Sequence, residues 1–168
     1  LSAELSGSYN SAMLGRNLAL EKDPEKKIHV FNSRSASVGE TLIAKKIAEC
    51  EGAGMKFEEV VETVEAYISS QNTYFVLESL EALRKNGRLS NLKAFVATAL
   101  KIKPVMQSTQ EGTIAQLDQA RGINKALVKM VEYIMERTTG SADRTLAISH
   151  CNCPERAQMV KEAIVERM

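Results

Sequence analysis

Short runs of branched and aromatic residues alternate along this chain with longer segments whose apolar residues recur every three or four positions. That alternation restricts it to an α/β architecture, because each amphipathic helix must bury its stripe against a sheet or another helix. A first helix is predicted from Asn10 to about Glu21, carrying Ala12, Met13, Leu14, Leu18, Ala19 and Leu20, and Asp23-Pro24 ends it because proline cannot continue the hydrogen-bond ladder. Lys27 to Phe31 reads as a short buried strand, followed by the polar loop 32–37. The next helix, Val38 to Glu51, presents Leu42, Ile43, Ile47 and Cys50 and stops at Gly52-Ala53-Gly54. Phe57, Val60, Val61, Val64 and Ile68 then form an amphipathic stripe, which is core rather than a cofactor box.

Asn72 to Leu77 is the best strand candidate, being rich in aromatic and branched residues. A short helix, 78–90, ends in the Asn86-Gly87 turn, and Ser90 caps a helix running from Asn91 to about Leu100. Strands are predicted at 101–106 and 113–117 around the turn Gln110-Glu111-Gly112, with Pro104 placing the first at a sheet edge or giving it an irregular start. A long helix carries Ile123, Leu127, Met130, Val131 and Ile134 and ends at Gly140; a strand spans 144–150; Pro154 opens a last helix with Ala157, Val160, Ala163 and Ile164 on one face. A chain of 168 residues suffices for one domain or two small lobes, and the expected seam lies near Ser70 to Asn72.

Twenty-two basic residues nearly cancel 21 acidic ones without a like-charge block, so the electrostatic footprint of a nucleic-acid binder is absent. No apolar run reaches about 18 residues and the first residues do not resemble a signal peptide, so a cytoplasmic protein is expected, with at most transient membrane contact. Three cysteines, Cys50, Cys151 and Cys153, do not make a disulfide framework. His150-Cys151-Asn152-Cys153 falls short of the four ligands zinc usually takes, since the other histidine, His29, sits on a predicted strand; no metal and no cofactor are expected. Dinucleotide, P-loop and zinc-protease signatures are missing as well.

The first dozen residues carry the chemistry. Ser2, Ser6, Ser8 and Gly7 stand immediately before the first helix and Ser11 in its first turn, where backbone N–H groups lack intrahelical partners and the helix dipole is positive. Such a turn cradles a carboxylate or phosphate, or else Ser6 or Ser8 merely caps the helix. A serine nucleophile would need a base; His150 at a strand end could supply one, and no sequence feature ties it to Ser6. Arg84, Lys85 and Arg88 around a glycine turn suit an anion or an acidic partner, or form a solvated surface, and Arg121 stands alone before a helix.

Taken together the segments resemble the DegV family of bacterial proteins, whose members include fatty-acid-binding subunits of fatty acid kinases. The residues that carry the resemblance are Leu1-Ser2-Ala3-Glu4-Leu5-Ser6-Gly7-Ser8-Tyr9-Asn10-Ser11-Ala12, Val30-Phe31-Asn32-Ser33 before Ser37-Val38-Gly39, 75–90 with its Asn86-Gly87-Arg88 turn, and Lys101-Ile102-Lys103-Pro104-Val105, and it runs on through Gly112 and Arg121 to His150. It implies a two-lobed α/β fold with mixed or parallel sheets flanked by helices, 1–71 forming the C-terminal part of the first lobe and 72–168 most of the second. It also implies a long-chain fatty acid held in an apolar tunnel as the ligand. The carboxylate would be bound by Ser6 with the Gly7 backbone, Ser2 and Ser8 being weaker candidates, and presented to a separate kinase that phosphorylates it. Arg84, Arg88 and Arg121 match basic positions suited to docking that kinase, and the chain itself would be a non-catalytic carrier. The family pattern begins with a strand and an aspartate-serine-threonine turn and ends with a histidine-bearing turn, neither of which is present, and Asn32 stands where aspartate is commoner; the chain is expected to be the middle of a longer protein. The competing expectations are a small serine hydrolase using Ser6 and His150, and a protein-interaction module.

Overall fold

The computed structural model describes residues 1–88, 101–138 and 144–167, in the order α1 (Ser8–Lys22), α2 (Val38–Gly52), α3 (Phe57–Ser70), β1 (Tyr74–Val76), α4 (Glu81–Lys85), β2 (Ile102–Ser108), β3 (Ile114–Arg121), α5 (Ile123–Thr138) and α6 (Pro154–Val165). The expected helix at 91–100, its Ser90 cap and the stop at Gly140 lie outside the described residues. Two compact units result: Leu1–Asn72 with Ser108–Thr113, and Thr73–Gln107 with Ile114–Met168.

In the first unit α2 packs on α3. The periodicity explains why: Ile43 and Cys50 from one helix and Val64 and Ile68 from the other fall on facing stripes and are buried, with Phe31, Ile47, Met55, Val60 and Tyr67 packed around them. At the start of α3 the Glu59 carboxylate accepts the Lys56 N–H at 2.8 Å, returning a bond to the helix entrance. α1 is different. It has no buried residue, and Leu14 and Leu18, one turn apart, remain 61% and 50% exposed, so its apolar face is not covered by the described residues.

In the second unit the sheet order is β1-β2-β3, with β1 antiparallel to β2 in the register Tyr74↔Gln107, Phe75↔Met106 and Val76↔Val105. α5 lies against β1, β3 and α6. Its Ala126, Leu127, Met130 and Val131 join Val105, Ala120, Val160 and Ile164 in the core. Pro104, Val105 and Met106 are buried in succession, which requires cover on both faces of β2, since successive side chains point to opposite sides.

Three expectations change. β2 is the middle strand, not an edge; Pro104 is accommodated because the pairing with β1 ends at Val105, so the missing N–H costs no bond on that side. The helix at 78–90 shortens to the five residues of α4. The segments 27–31 and 144–150 pair with no other strand among the described residues, because a strand exists only with a laddered neighbour, whatever its composition.

Candidate functional site

The opening turn folds around Ser2, which is wholly buried. Its carbonyl accepts the N–H groups of Leu5 and Ser6, both at 3.1 Å, and its own N–H donates to the Ser35 carbonyl at 2.9 Å. Its hydroxyl donates to the Gly112 carbonyl at 2.7 Å and accepts the Glu4 N–H at 3.3 Å. Asn32 Oδ1 takes the Ala3 N–H at 3.0 Å and the Arg34 N–H at 3.2 Å, joining the same turn to the loop before α2. That loop is itself tied: Ser33 Oγ donates to the Ser35 carbonyl at 3.0 Å and accepts the Ser35 N–H at 3.3 Å, and both serines are buried. A short polar side chain that bonds its own neighbouring backbone holds a turn without regular secondary structure.

The third contributor is the tip of the β2–β3 hairpin. Thr109 and Thr113 share a hydroxyl bond of 2.9 Å, and the Gly112 N–H donates to the Thr109 carbonyl at 3.0 Å. Gly112 has φ +87°, and a Cβ there would stand 2.4 Å from Ser2 Oγ and 2.9 Å from Arg34 Cα, so a side chain is excluded by conformation and by space. Beside it the Glu111 carboxyl is held below its usual range, first by the Thr109 hydroxyl and more weakly by the Arg34 charge.

Beyond Ser2 the turn opens toward solvent. Ser6 is half-buried and Gly7 and Ser8 are exposed. Ser6 Oγ accepts the Ser8 N–H at 3.2 Å, the bond of a serine turn at a helix start. The amides of Leu5, Ser6 and Ser8 are therefore engaged, while the Ser6 hydroxyl proton and the Gly7 N–H have no acceptor among the described residues. These are two adjacent neutral donors at the positive end of α1, which is what an anionic head group requires. Ser2 differs from the other candidates in having its only hydroxyl proton already committed.

The other expected residues lie in the second unit. α4 ends in a turn closed by Gly87 N–H to Arg84 O at 3.0 Å and Arg88 N–H to Leu83 O at 2.9 Å, with Gly87 at φ +70° as that motif demands. Arg84 and Arg88 thus share one exposed turn, where Lys85 pairs with Glu81 and the Arg88 guanidinium donates to the Asn86 carbonyl. Arg121 is exposed at the end of β3, ahead of Gly122, whose N–H donates to the Lys101 carbonyl at 2.8 Å. His150 is exposed, and its Nδ1 accepts the Cys153 N–H at 3.2 Å. No group of three or more His, Cys, Asp or Glu side chains among the described residues is arranged to hold a metal ion.

The DegV family profile matches residues 1–168. This chain belongs to the DegV family. The DegV domain-containing protein of Streptococcus pneumoniae R6 is 36% identical over 166 residues, which are 99% of this chain and 58% of that protein. Among solved structures, a DegV family protein from Ruminococcus gnavus with vaccenic acid is 61% identical, with a TM-score of 0.93 over all of this chain and 60% of the other. The Streptococcus pneumoniae Fatty Acid Kinase (Fak) B3 protein loaded with linoleic acid is 36% identical, with a TM-score of 0.87 over 99% of this chain and 58% of the other. The α/β class is thereby that of the solved DegV structures, and this DegV chain spans roughly three fifths of the length of the relatives it matches. No helix among the described residues is long and apolar enough to cross a membrane.

Local sequence read the serine-glycine turn as an anion cradle or a helix cap, with Ser6 and Gly7 singled out by the family resemblance. It missed Ser35 and Gly112 as supports of the turn, and no sequence signal links Ser2 to a glycine 110 positions away.

Proposed function

We propose that this chain is the carboxylate-gripping part of a fatty-acid carrier: the whole protein holds one long-chain fatty acid in an apolar tunnel and presents its head group to a partner kinase for phosphorylation. The observation that carries the reading is the pair of open donors, the Ser6 hydroxyl and the Gly7 N–H, at the start of α1. A carboxylate received there gains charge-assisted hydrogen bonds without a fixed counter-charge, and each methylene withdrawn from water adds roughly 0.8 kcal/mol. The fatty acids in the Ruminococcus and Streptococcus relatives support that ligand class. The carrier works without a cofactor or chemistry of its own, in the cytoplasm, and the exposed Arg84, Arg88 and Arg121 dock the kinase through forked contacts with carboxylates.

Lipid extraction and mass spectrometry of the purified full-length protein test this. A co-purifying fatty acid, lost from a Ser6→Ala variant, is expected. An extract without fatty acid, together with no uptake of added fatty acid, would sink the reading.

A further inference from the structure

We propose that Ser2 is a positioning residue, which aims Ser6 and Gly7 at the carboxylate through its bond to Gly112 and does not touch the ligand itself. The inference rests on the fatty-acid reading above and deepens it. An ionised carboxylate only accepts hydrogen bonds, so any side chain that hydrogen-bonds to it must have a proton to give. Ser2 has none left: its hydroxyl donates to Gly112 O at 2.7 Å and its N–H to Ser35 O at 2.9 Å, and it is completely shielded from solvent. What Ser2 does have is a carbonyl that receives both the Leu5 and the Ser6 amides. Those two bonds set the backbone from which the Ser6 side chain departs and turn the Ser6 amide inward, leaving the next amide, that of Gly7, as the outward one.

The hairpin tip is the fixed end of this latch. It is braced by the Thr109–Thr113 hydroxyl bond and by the Gly112 N–H to Thr109 O bond, and Gly112 leaves no room for a side chain between Ser2 Oγ and Arg34. Ser2 and Gly112 therefore operate as one device, separate in sequence and joined in space, and Ser6 as the contact that the device orients.

The decisive measurement compares full-length wild type with Ser2→Ala, Gly112→Ala, the double variant and Ser6→Ala. For each, affinity is read for a long-chain fatty acid and for the primary alcohol of equal chain length, with urea midpoints recorded alongside. The acid-to-alcohol ratio reports on head-group geometry, and a loss of stability alone does not move it. Ser6→Ala is expected to lower the ratio by tenfold or more, the loss of about one charge-assisted bond. Ser2→Ala and Gly112→Ala are each expected to lower it by roughly three- to tenfold with alcohol affinity unchanged, and the double variant to be no worse than the worse single one. If Ser2→Ala does not fold, Ser2→Cys keeps the shape with a weaker donor and gives the same comparison. A ratio that stays at the wild-type value in the Ser2 and Gly112 variants while collapsing in Ser6→Ala overturns the positioning role. A ratio unmoved by Ser6→Ala overturns the head-group reading instead.

Discussion

Replacing Gly39 by alanine should destabilise the first unit even though it adds a good helix former to α2. Alanine is better than glycine in a helix interior by about 1 kcal/mol, so propensity alone forecasts a gain. Space forecasts the opposite. A Cβ at Gly39 would lie 2.2 Å from Ser35 Oγ, 3.0 Å from Ser35 Cβ and 3.3 Å from Gln71 Oε1. The Ser35 hydroxyl could swing to another rotamer, but its Cβ cannot, and Ser35 is buried with its carbonyl taking the Ser2 N–H. Overpacking of this kind costs about 1–3 kcal/mol, so against the propensity gain the net effect is a loss of up to about 2 kcal/mol. Gly15 supplies the control, since it sits in α1 with nothing within 4 Å of the added Cβ, and Gly15→Ala should gain up to about 1 kcal/mol. Urea unfolding followed by far-ultraviolet circular dichroism measures both. A Gly39→Ala protein stabilised as much as Gly15→Ala would refute the claim that the Ser35 loop is unyielding.

Asp118 accepts from Lys129 at 2.6 Å and from the Gln119 N–H at 2.7 Å, and these bonds, the Lys129 one foremost, hold its carboxyl below the ordinary 3.8. A carboxyl depressed by folding stabilises above its unfolded pKa and loses that contribution as pH falls through the folded one, so wild type and Asp118→Asn should differ near neutrality and converge in acid titrations below about pH 4. Ile164→Ala, at a site 2% exposed, should cost about 2–5 kcal/mol, whereas Met159→Ala on the open side of the same helix should cost within about 0.5 kcal/mol, both by chemical denaturation. Charge reversal of Arg84 and Arg88 together should weaken association with the kinase, more so at low salt, while leaving the fatty-acid content of the purified protein unchanged; equal loss of both would place these arginines in the lipid site rather than at a docking face.

The helices were legible because their information is local. Ile43, Ile47 and Cys50, or Val60, Val64 and Ile68, announce a buried stripe by spacing alone, and the observed core uses those residues. Strands were legible only where a partner lies in reach. Tyr74 to Val76 finds β2, whereas 27–31 and 144–150 also read as strands and have no partner among the described residues. Pro104 shows the same division, since its lack of a donor could be read but the end of the β1 ladder at Val105 could not. At the candidate site, a serine-glycine turn that cradles an anion or caps the helix follows from helix-start chemistry and the choice of Ser6 and Gly7 from the family resemblance, while the bond from Ser2 to Gly112 depends on where the hairpin tip arrives, a tertiary fact without a local signature.

The buried Cys50 gives the first unit an optical tap of its own. Its thiol is 3% exposed between α2 and α3, whereas Cys151 is open to solvent and Cys153 partly so. An alkylating dye will mark the latter two at once and Cys50 only when those helices part, so the delay between the labels times the breathing of one half of the chain against a clock carried by the other.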